Sequence, residues 1–342
     1  MTPWLKSPRT QWFGRLLAIG VVASTLFSLL AVQISTVPPA AEASPMTTVT
    51  ASENSSTLRA VNTTPATPVP TRTSVVQREE IEPRAAYRPV RPTPTAEAVV
   101  FPAPLLPPTA DLVKRAATVP ILMYHYISTP PKATDKIRVG LSVTPENFEA
   151  QLDLLTAKGY TTISLFDLYQ HLATGQALPD KPIILTFDDG YVDNYENAFP
   201  ALKARGMSAT FFVLTAPTDN LDPAYMSWTQ IKEMSDAGMD MQLHAKDHVD
   251  LRHRDYDYLV WEIIGGRQSI EGHTGKPVVF MAYPSGKYDA AVLKFLDNNN
   301  FWAAVTTESG KTHTLSDRLT WTRLRIAGQL TLNGFAKLLG VQ

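Results

Sequence analysis

The chain has 342 residues, 18% of them charged, and a formal net charge of −1, so no basic excess points to nucleic acid as a partner. It contains no cysteine, which excludes disulfides, thiolate metal ligands, a cysteine nucleophile and a lipidated cysteine. Any metal must therefore be held by His, Asp or Glu.

Residues 1–15 carry Lys6, Arg9 and Arg15 and no acid, and Leu16 to Val32 is an uncharged, mostly apolar run. A basic front and an apolar core read as an export signal, with Ala41-Glu42-Ala43 as a small-x-small cleavage site. An uncleaved anchor is the alternative, at the short limit for spanning a bilayer. Residues 1–43 are thus expected to be a signal peptide or membrane anchor. They are the only expected membrane contact, and they place the remainder outside the cytoplasm. Residues 33–118 hold 14 of the 27 prolines and no glycine. Such a stretch cannot bury a core, so 44–117 is expected to be a disordered Pro/Thr/Ala-rich linker. Proline without glycine makes it a semi-stiff stalk, with a reach of ~200 Å when extended.

From Thr118 the composition changes. Val119 to Tyr124 reads as a strand with His125 at its end. Thr144-Pro145-Glu146 starts a helix that buries Phe148, Leu152 and Leu155 and stops at Gly159. Thr161 to Ser164 is a short strand, and Leu165 to Thr174 a helix. Ile183 to Phe187 is an apolar run that ends in Asp188-Asp189-Gly190, which reads as a buried strand broken by glycine. Helices over 195–205 and 228–237 alternate with strands over 209–214 and 240–243. A helix through Leu259, Ile263 and Ile270, a strand over 278–283, a helix over 290–298 and a strand over 301–305 follow. A strand over 324–326 and a helix over 332–339 close the chain. Strand and helix alternate six or seven times, which implies parallel strands with crossover helices. An open doubly wound sheet and a closed barrel both fit. The absence of Gly-x-Gly-x-x-Gly after the first strand counts against a dinucleotide site.

The polar residues fall at strand exits. His125, Asp188 with Asp189, His244 with His248, and Tyr283-Pro284-Ser285-Gly286 each follow a strand, and a barrel gathers such ends on one face. His244-x-x-x-His248 is a two-imidazole spacing suited to one metal. With Asp189 it makes a His, His, carboxylate set with open positions, which fits Zn²⁺, Fe²⁺, Co²⁺ or a similar ion and a hydrolytic role. Two aspartates and one metal divide naturally: one carboxylate binds the cation, and its neighbour takes a proton from water that the cation has acidified. Backbone N–H groups near Tyr191 are placed to meet the developing oxyanion.

Thr186-Phe187-Asp188-Asp189-Gly190, His244-Ala245-Lys246-Asp247-His248 and Tyr283-Pro284-Ser285-Gly286, in this order and spacing, resemble the successive motifs of the polysaccharide deacetylases (carbohydrate esterase family 4, the NodB-homology domain). Ile121 to His125 and Phe301 to Thr307 are similar to stretches of the branch that contains the poly-N-acetylglucosamine deacetylases of biofilm matrices. The likeness covers about 119–330. It implies a deformed (β/α)7 barrel over 118–342 and metal-dependent removal of N- or O-acetyl groups from an N-acetylated polysaccharide outside the cell. By position it makes Asp188 the general base, and Asp189, His244 and His248 the ligands of one divalent metal, Zn²⁺ first, with Co²⁺, Ni²⁺ or Fe²⁺ as alternatives. Tyr191, Tyr283 and Pro284 are expected around substrate and oxyanion.

Three departures follow. Ala245 stands where the family usually has a Ser or Thr whose hydroxyl braces the loop. Ala282 stands where many members have an arginine that orients the base, so Arg323 or Arg325 is expected to replace it. The usual Leu-x-x-His that supplies an acid has no copy after Trp321, which leaves His125 or His313 to protonate the leaving amine. His253 and His273 are expected on the surface. These gaps sustain a second reading, a carbohydrate-binding module with a degenerate site. An acetyl esterase of the same fold acting on peptidoglycan or xylan is a third. An aspartate-nucleophile phosphotransferase leaves His244 and His248 unexplained. The segment from Ser128 to Val143 is expected to shape the pocket.

Overall fold

A computed structural model describes residues 102, 103 and 105–341. The expected export or anchor segment, and the linker up to residue 101, lie outside the described residues. Among the described residues twelve strands occur in chain order: β1 (Ala116–Thr118), β2 (Ile121–Tyr124), β3 (Tyr126–Ile127), β4 (Ser142–Val143), β5 (Thr161–Thr162), β6 (Pro182–Phe187), β7 (Thr210–Val213), β8 (Asp240–Leu243), β9 (Phe280–Ala282), β10 (Ala303–Ser309), β11 (Thr312–Thr314) and β12 (Trp321–Arg325). Seven of them close a parallel barrel in the order β2-β6-β7-β8-β9-β10-β12, with β12 returning to β2. β5 pairs only with the entry of β6 and stays outside the closure. The doubly wound alternative is thereby excluded.

Period-two alternation sorts the strand residues. Leu122, Tyr124, Leu185, Phe187, Phe211 and Val213 share a core with Phe148, Leu152 and Ile231 of the surrounding helices. Ile121, Ile184, Phe212, Phe280, Ala303 and Val305 instead line the barrel interior, where Leu165, Leu168 and Leu172 of the 165–174 helix join them. Helix starts follow the sequence signals. Thr144 caps the Pro145–Ala157 helix through Asn147 N–H, and Ser164 with Asp167 forms a capping box on Leu165–Thr174.

Four features differ from the sequence expectation. The domain begins upstream of residue 118. β1 pairs antiparallel with β11, and the Trp302 indole N–H, which needs an acceptor, donates to the Leu105 carbonyl at 2.9 Å. The helix expected over 195–205 opens as a π-turn over Asn194–Ala198. That turn lets the Asn194 and Asn197 amides both donate at 2.8 Å, to the His125 and Ile127 carbonyls respectively, and so fixes the exit of β2. A second π-turn, Val260–Gly265, interrupts the helix running to Thr274. Finally, 128–143 is not a bare loop: it contains the Lys136–Leu141 helix and β4, which pairs with β3.

At the entry of β8, away from the cleft, Asp240 accepts from Gln242 Nε2 at 2.7 Å and Thr210 Oγ1 at 3.2 Å. Burial outweighs these bonds and raises its carboxyl pKa to about 6. Because the folded value lies above the unfolded one, this group destabilises the fold progressively as pH rises from about 4 past 6, and no further above that. With the residue's partial exposure to solvent, this cost is on the order of 1 kcal/mol. Asp240→Asn is therefore expected to raise the melting temperature at pH 7.5 and barely change it at pH 4. Equal gains at both values would show that ionisation is not the cost.

Candidate active site

The β6 alternation carries Ile184 and Thr186 inward, and Asp188 continues that face just past the strand's last residue. Asp188 is buried, and Arg323 of β12 grips it with two bonds, Nη1 to Oδ1 and Nη2 to Oδ2, both 2.7 Å. Arg323 is 0% exposed. It also donates from Nε to the Thr306 carbonyl at 2.9 Å and from Nη1 to Thr186 Oγ1 at 3.0 Å, so its fork is held from three sides. Burial opposes ionisation of Asp188, but the Arg323 charge and hydrogen bonds outweigh it and hold the carboxyl well below the usual range.

Asp189 turns the other way. Its φ is +74° and that of Gly190 is +78°, two successive left-handed residues that end the strand abruptly. At Gly190 a side chain would also approach Val213 Cγ1 to 3.3 Å, so both the backbone conformation and the space favour glycine. The turn aims Asp189 Oδ1 at His244 Nε2, 3.2 Å away, and His248 Nε2, 3.7 Å away. Ligand atoms of these three residues lie within 4.8 Å of one another. His244 is buried, and its Nδ1–H donates to the Ala282 carbonyl at 2.7 Å, which turns Nε2 towards Asp189. His248, with a side chain 44% exposed, closes the cluster from the solvent side.

One atom tests whether this cluster suits a cation. Asp189 Oδ1 is buried and has no aligned hydrogen-bond donor. A buried carboxylate oxygen without a donor costs free energy unless something positive meets it. With two imidazoles converging on it, the donor set suits a divalent ion that accepts nitrogen and oxygen ligands.

The cleft above these residues has a volume of about 770 Å³. His125 faces Asp188 across it, with Nε2 4.0 Å from Oδ2. Burial lowers the His125 pKa, and the Asp188 and Asp189 charges only partly offset this. Tyr283 lines the cleft with its ring, while its hydroxyl donates to the Leu319 carbonyl at 2.9 Å. Pro284 is buried and does not line the cleft, contrary to expectation: it starts the short turn that presents Ser285, whose φ is +53°. Arg325 lies exposed at the cleft margin and does not bond Asp188; that contact belongs to Arg323. His313 is buried outside the cleft, where Nε2 meets the Val119 carbonyl at 3.0 Å, so it cannot reach a substrate here. His253 and His273 are exposed.

Three cleft residues escaped the sequence reading. Tyr126 stacks on Tyr191 with ring centroids 3.6 Å apart, Tyr225 continues the row at 5.1 Å, and the Arg138 guanidinium caps Tyr126 at 3.1 Å. Arg138 comes from the segment expected to shape the pocket, and Tyr126 adjoins His125. Tyr225 carries no sequence signal, since only the bridge it forms with Tyr191 brings it in.

Comparison with known proteins agrees with this geometry. Residues 175–303 match the family model described as polysaccharide deacetylase. The polysaccharide deacetylase-type protein YxkH of Bacillus subtilis strain 168 is 30% identical over 197 residues, covering 58% of this chain and 67% of that one. A poly-β-1,6-N-acetyl-D-glucosamine N-deacetylase of Staphylococcus epidermidis is 30% identical over 110 residues, which span 31% of this chain and 38% of that enzyme. Among solved structures, the Streptococcus pyogenes deacetylase PplD in complex with acetate superposes with a TM-score of 0.61 at 29% identity, covering 66% of this chain and 98% of that one. With its seven-stranded parallel barrel and its motifs at the strand exits, the chain belongs to the polysaccharide deacetylase family.

Proposed function

We propose that the protein is a metal-dependent hydrolase that removes acetyl groups from an N-acetylglucosamine polymer outside the cytoplasm. The observation that carries this reading is the donorless Asp189 Oδ1 facing His244 and His248, with the Arg323-held Asp188 next to it. Asp189, His244 and His248 would hold one divalent ion, Zn²⁺ or else Co²⁺, Ni²⁺ or Fe²⁺. When bound, such an ion supplies Lewis acidity that acidifies water and polarises the acetyl carbonyl. Asp188 accepts the proton from the attacking water, as a carboxylate has about four lone-pair sites and Arg323 occupies two. His125 is mostly neutral at rest and receives a proton before it gives one. Asp188, 4.0 Å away, is the nearest source, and the leaving nitrogen is the recipient. Water oxygen joins the acetyl carbon, the C–N bond breaks, and acetate and a free amine leave. The Tyr126–Tyr191–Tyr225 row forms a wall of the cleft against which a sugar would pack.

The polymer assignment draws support from the Staphylococcus epidermidis relative. Acetate release should be measured on poly-N-acetylglucosamine, chitin oligomers, peptidoglycan and acetylated xylan, before and after chelation and with Zn²⁺ restored. Release from the N-acetylglucosamine polymer that vanishes on chelation and returns with Zn²⁺ is expected. Release from xylan alone would favour the esterase. Binding to oligosaccharide with no acetate at any metal loading would favour the degenerate module.

A further inference from the structure

Where the sequence lacks a hydroxyl at position 245, the structure supplies a carboxylate from elsewhere. Ala245 is fully buried with φ +73°, a strained conformation for a residue other than glycine, and it begins the loop that carries His248. The loop's carbonyls are met from one side: Thr215 N–H approaches the Ala245 carbonyl at 3.4 Å, and Ala216 N–H donates to the Lys246 carbonyl at 2.9 Å. Its N–H groups are met from the other side by one residue. Glu262 Oε2 accepts from Lys246 N–H at 3.2 Å and from Asp247 N–H at 3.0 Å, and the Glu262 carbonyl accepts from Lys246 N–H at 3.1 Å.

Glu262 is 2% exposed, and it sits on the π-turn Val260–Gly265. The extra residue of a π-turn changes the side-chain phase of a helix and is often found where function needs it. Here the helix also comes close enough that a side chain at Gly266 would meet Leu243 Cδ1 at 2.7 Å and the Lys246 nitrogen at 3.4 Å. A buried acid is costly to keep, and this one accepts two hydrogen bonds from the backbone between the two histidines, with the Tyr258 hydroxyl as a further donor. His244 is separately fixed through the Ala282 carbonyl, whereas His248 is partly exposed and depends on the loop for its position.

We infer that Glu262 is the positioning residue of the metal site, bracing residues 246 and 247 so that His248 reaches the point that Asp189 and His244 define. This rests on the metal-dependent reading above. Residues that orient ligands from outside the coordination sphere typically contribute 10–100-fold to metal affinity. Full-length wild type, Glu262→Ala, Glu262→Gln and Glu262→Asp should be compared by Zn²⁺ competition against a chromophoric chelator and by the visible spectrum of the Co²⁺-loaded protein. Glutamine keeps the length and an acceptor oxygen, whereas aspartate keeps the charge but falls short by one methylene. Glu262→Ala and Glu262→Asp should each bind Zn²⁺ roughly 10–100-fold more weakly, with an altered Co²⁺ spectrum, while Glu262→Gln stays within about threefold of wild type. If Glu262→Ala does not fold, the aspartate and glutamine pair still decides. Wild-type affinity and spectrum in Glu262→Asp would overturn the inference, as would a glutamine variant as weak as aspartate. Failure of wild type itself to bind any divalent ion would instead overturn the metal-dependent reading.

Discussion

Asp188→Asn is expected to cut acetate release from N-acetylglucosamine oligomers by roughly 10²–10⁴-fold, the usual worth of a positioned general base. Divalent-metal affinity should stay near that of wild type. The two adjacent aspartates have opposite surroundings, and this is why one substitution separates rate from metal binding. Asp188 points into the barrel, where Arg323 fixes both its oxygens and leaves lone pairs open towards His125. Asp189, reversed by its left-handed φ, presents a donorless oxygen to two imidazoles. Asp189→Ala is the contrasting variant: it should lose metal and activity together. Because Asp188→Asn leaves Arg323 charged and buried beside an amide, rates should be read at 25 °C on protein shown to be folded by circular dichroism. Full activity in Asp188→Asn would remove it from the chemistry, and metal loss in that variant would make it a ligand instead of a base.

The alternation of parallel strands and helices was legible because strands buried on both faces write themselves as short apolar runs, and glycines mark several of the exits; an open sheet fits that pattern equally, and closure into a barrel came only from the family resemblance. Ile183 to Phe187 with Asp188-Asp189-Gly190 is such a run, and its alternation already places residues 184, 186 and 188 on one face. The choice between Arg323 and Arg325 was not legible. The two lie two residues apart on one strand and so share a face. What separates them is the stagger across β2: Arg325 pairs with Met123, and Met123 with Thr186. Arg323 therefore starts two residues lower, and its long side chain rises inside the barrel to Asp188, while Arg325 overshoots to the margin. Register between strands distant in sequence leaves no local signature. The π-turns were hidden because each changes the helix phase within a segment too short to show two separate apolar stripes. Glu262 thus read as one more polar position on a helix. The tyrosine row is assembled from three segments, and only closure of the barrel brings them together.

Arg323→Met is expected to destabilise the domain by ~3–5 kcal/mol, because it leaves the Asp188 carboxylate buried without its partner. For a domain of this size that lowers the melting temperature by roughly 6–20 °C. Methionine replaces most of the volume and keeps contact with the interior around Phe212, so a cavity accounts for little of the loss. The pair should behave as a unit. Once Asp188→Asn has removed the negative charge, Arg323→Met no longer strands an ion, and the double variant should lose clearly less stability than the two single losses added together. Thermal unfolding of the four proteins gives the coupling directly, and strictly additive losses would mean that the bidentate contact carries no energy of its own. Arg323 also donates to Thr186 Oγ1 and the Thr306 carbonyl, so the double variant should still fall below wild type. Activity should follow a different pattern. Arg323→Met loses rate because the base is no longer held in its geometry or its charged form, and the double variant, whatever stability it regains, recovers none of that rate, since restoring the fold does not restore the carboxylate.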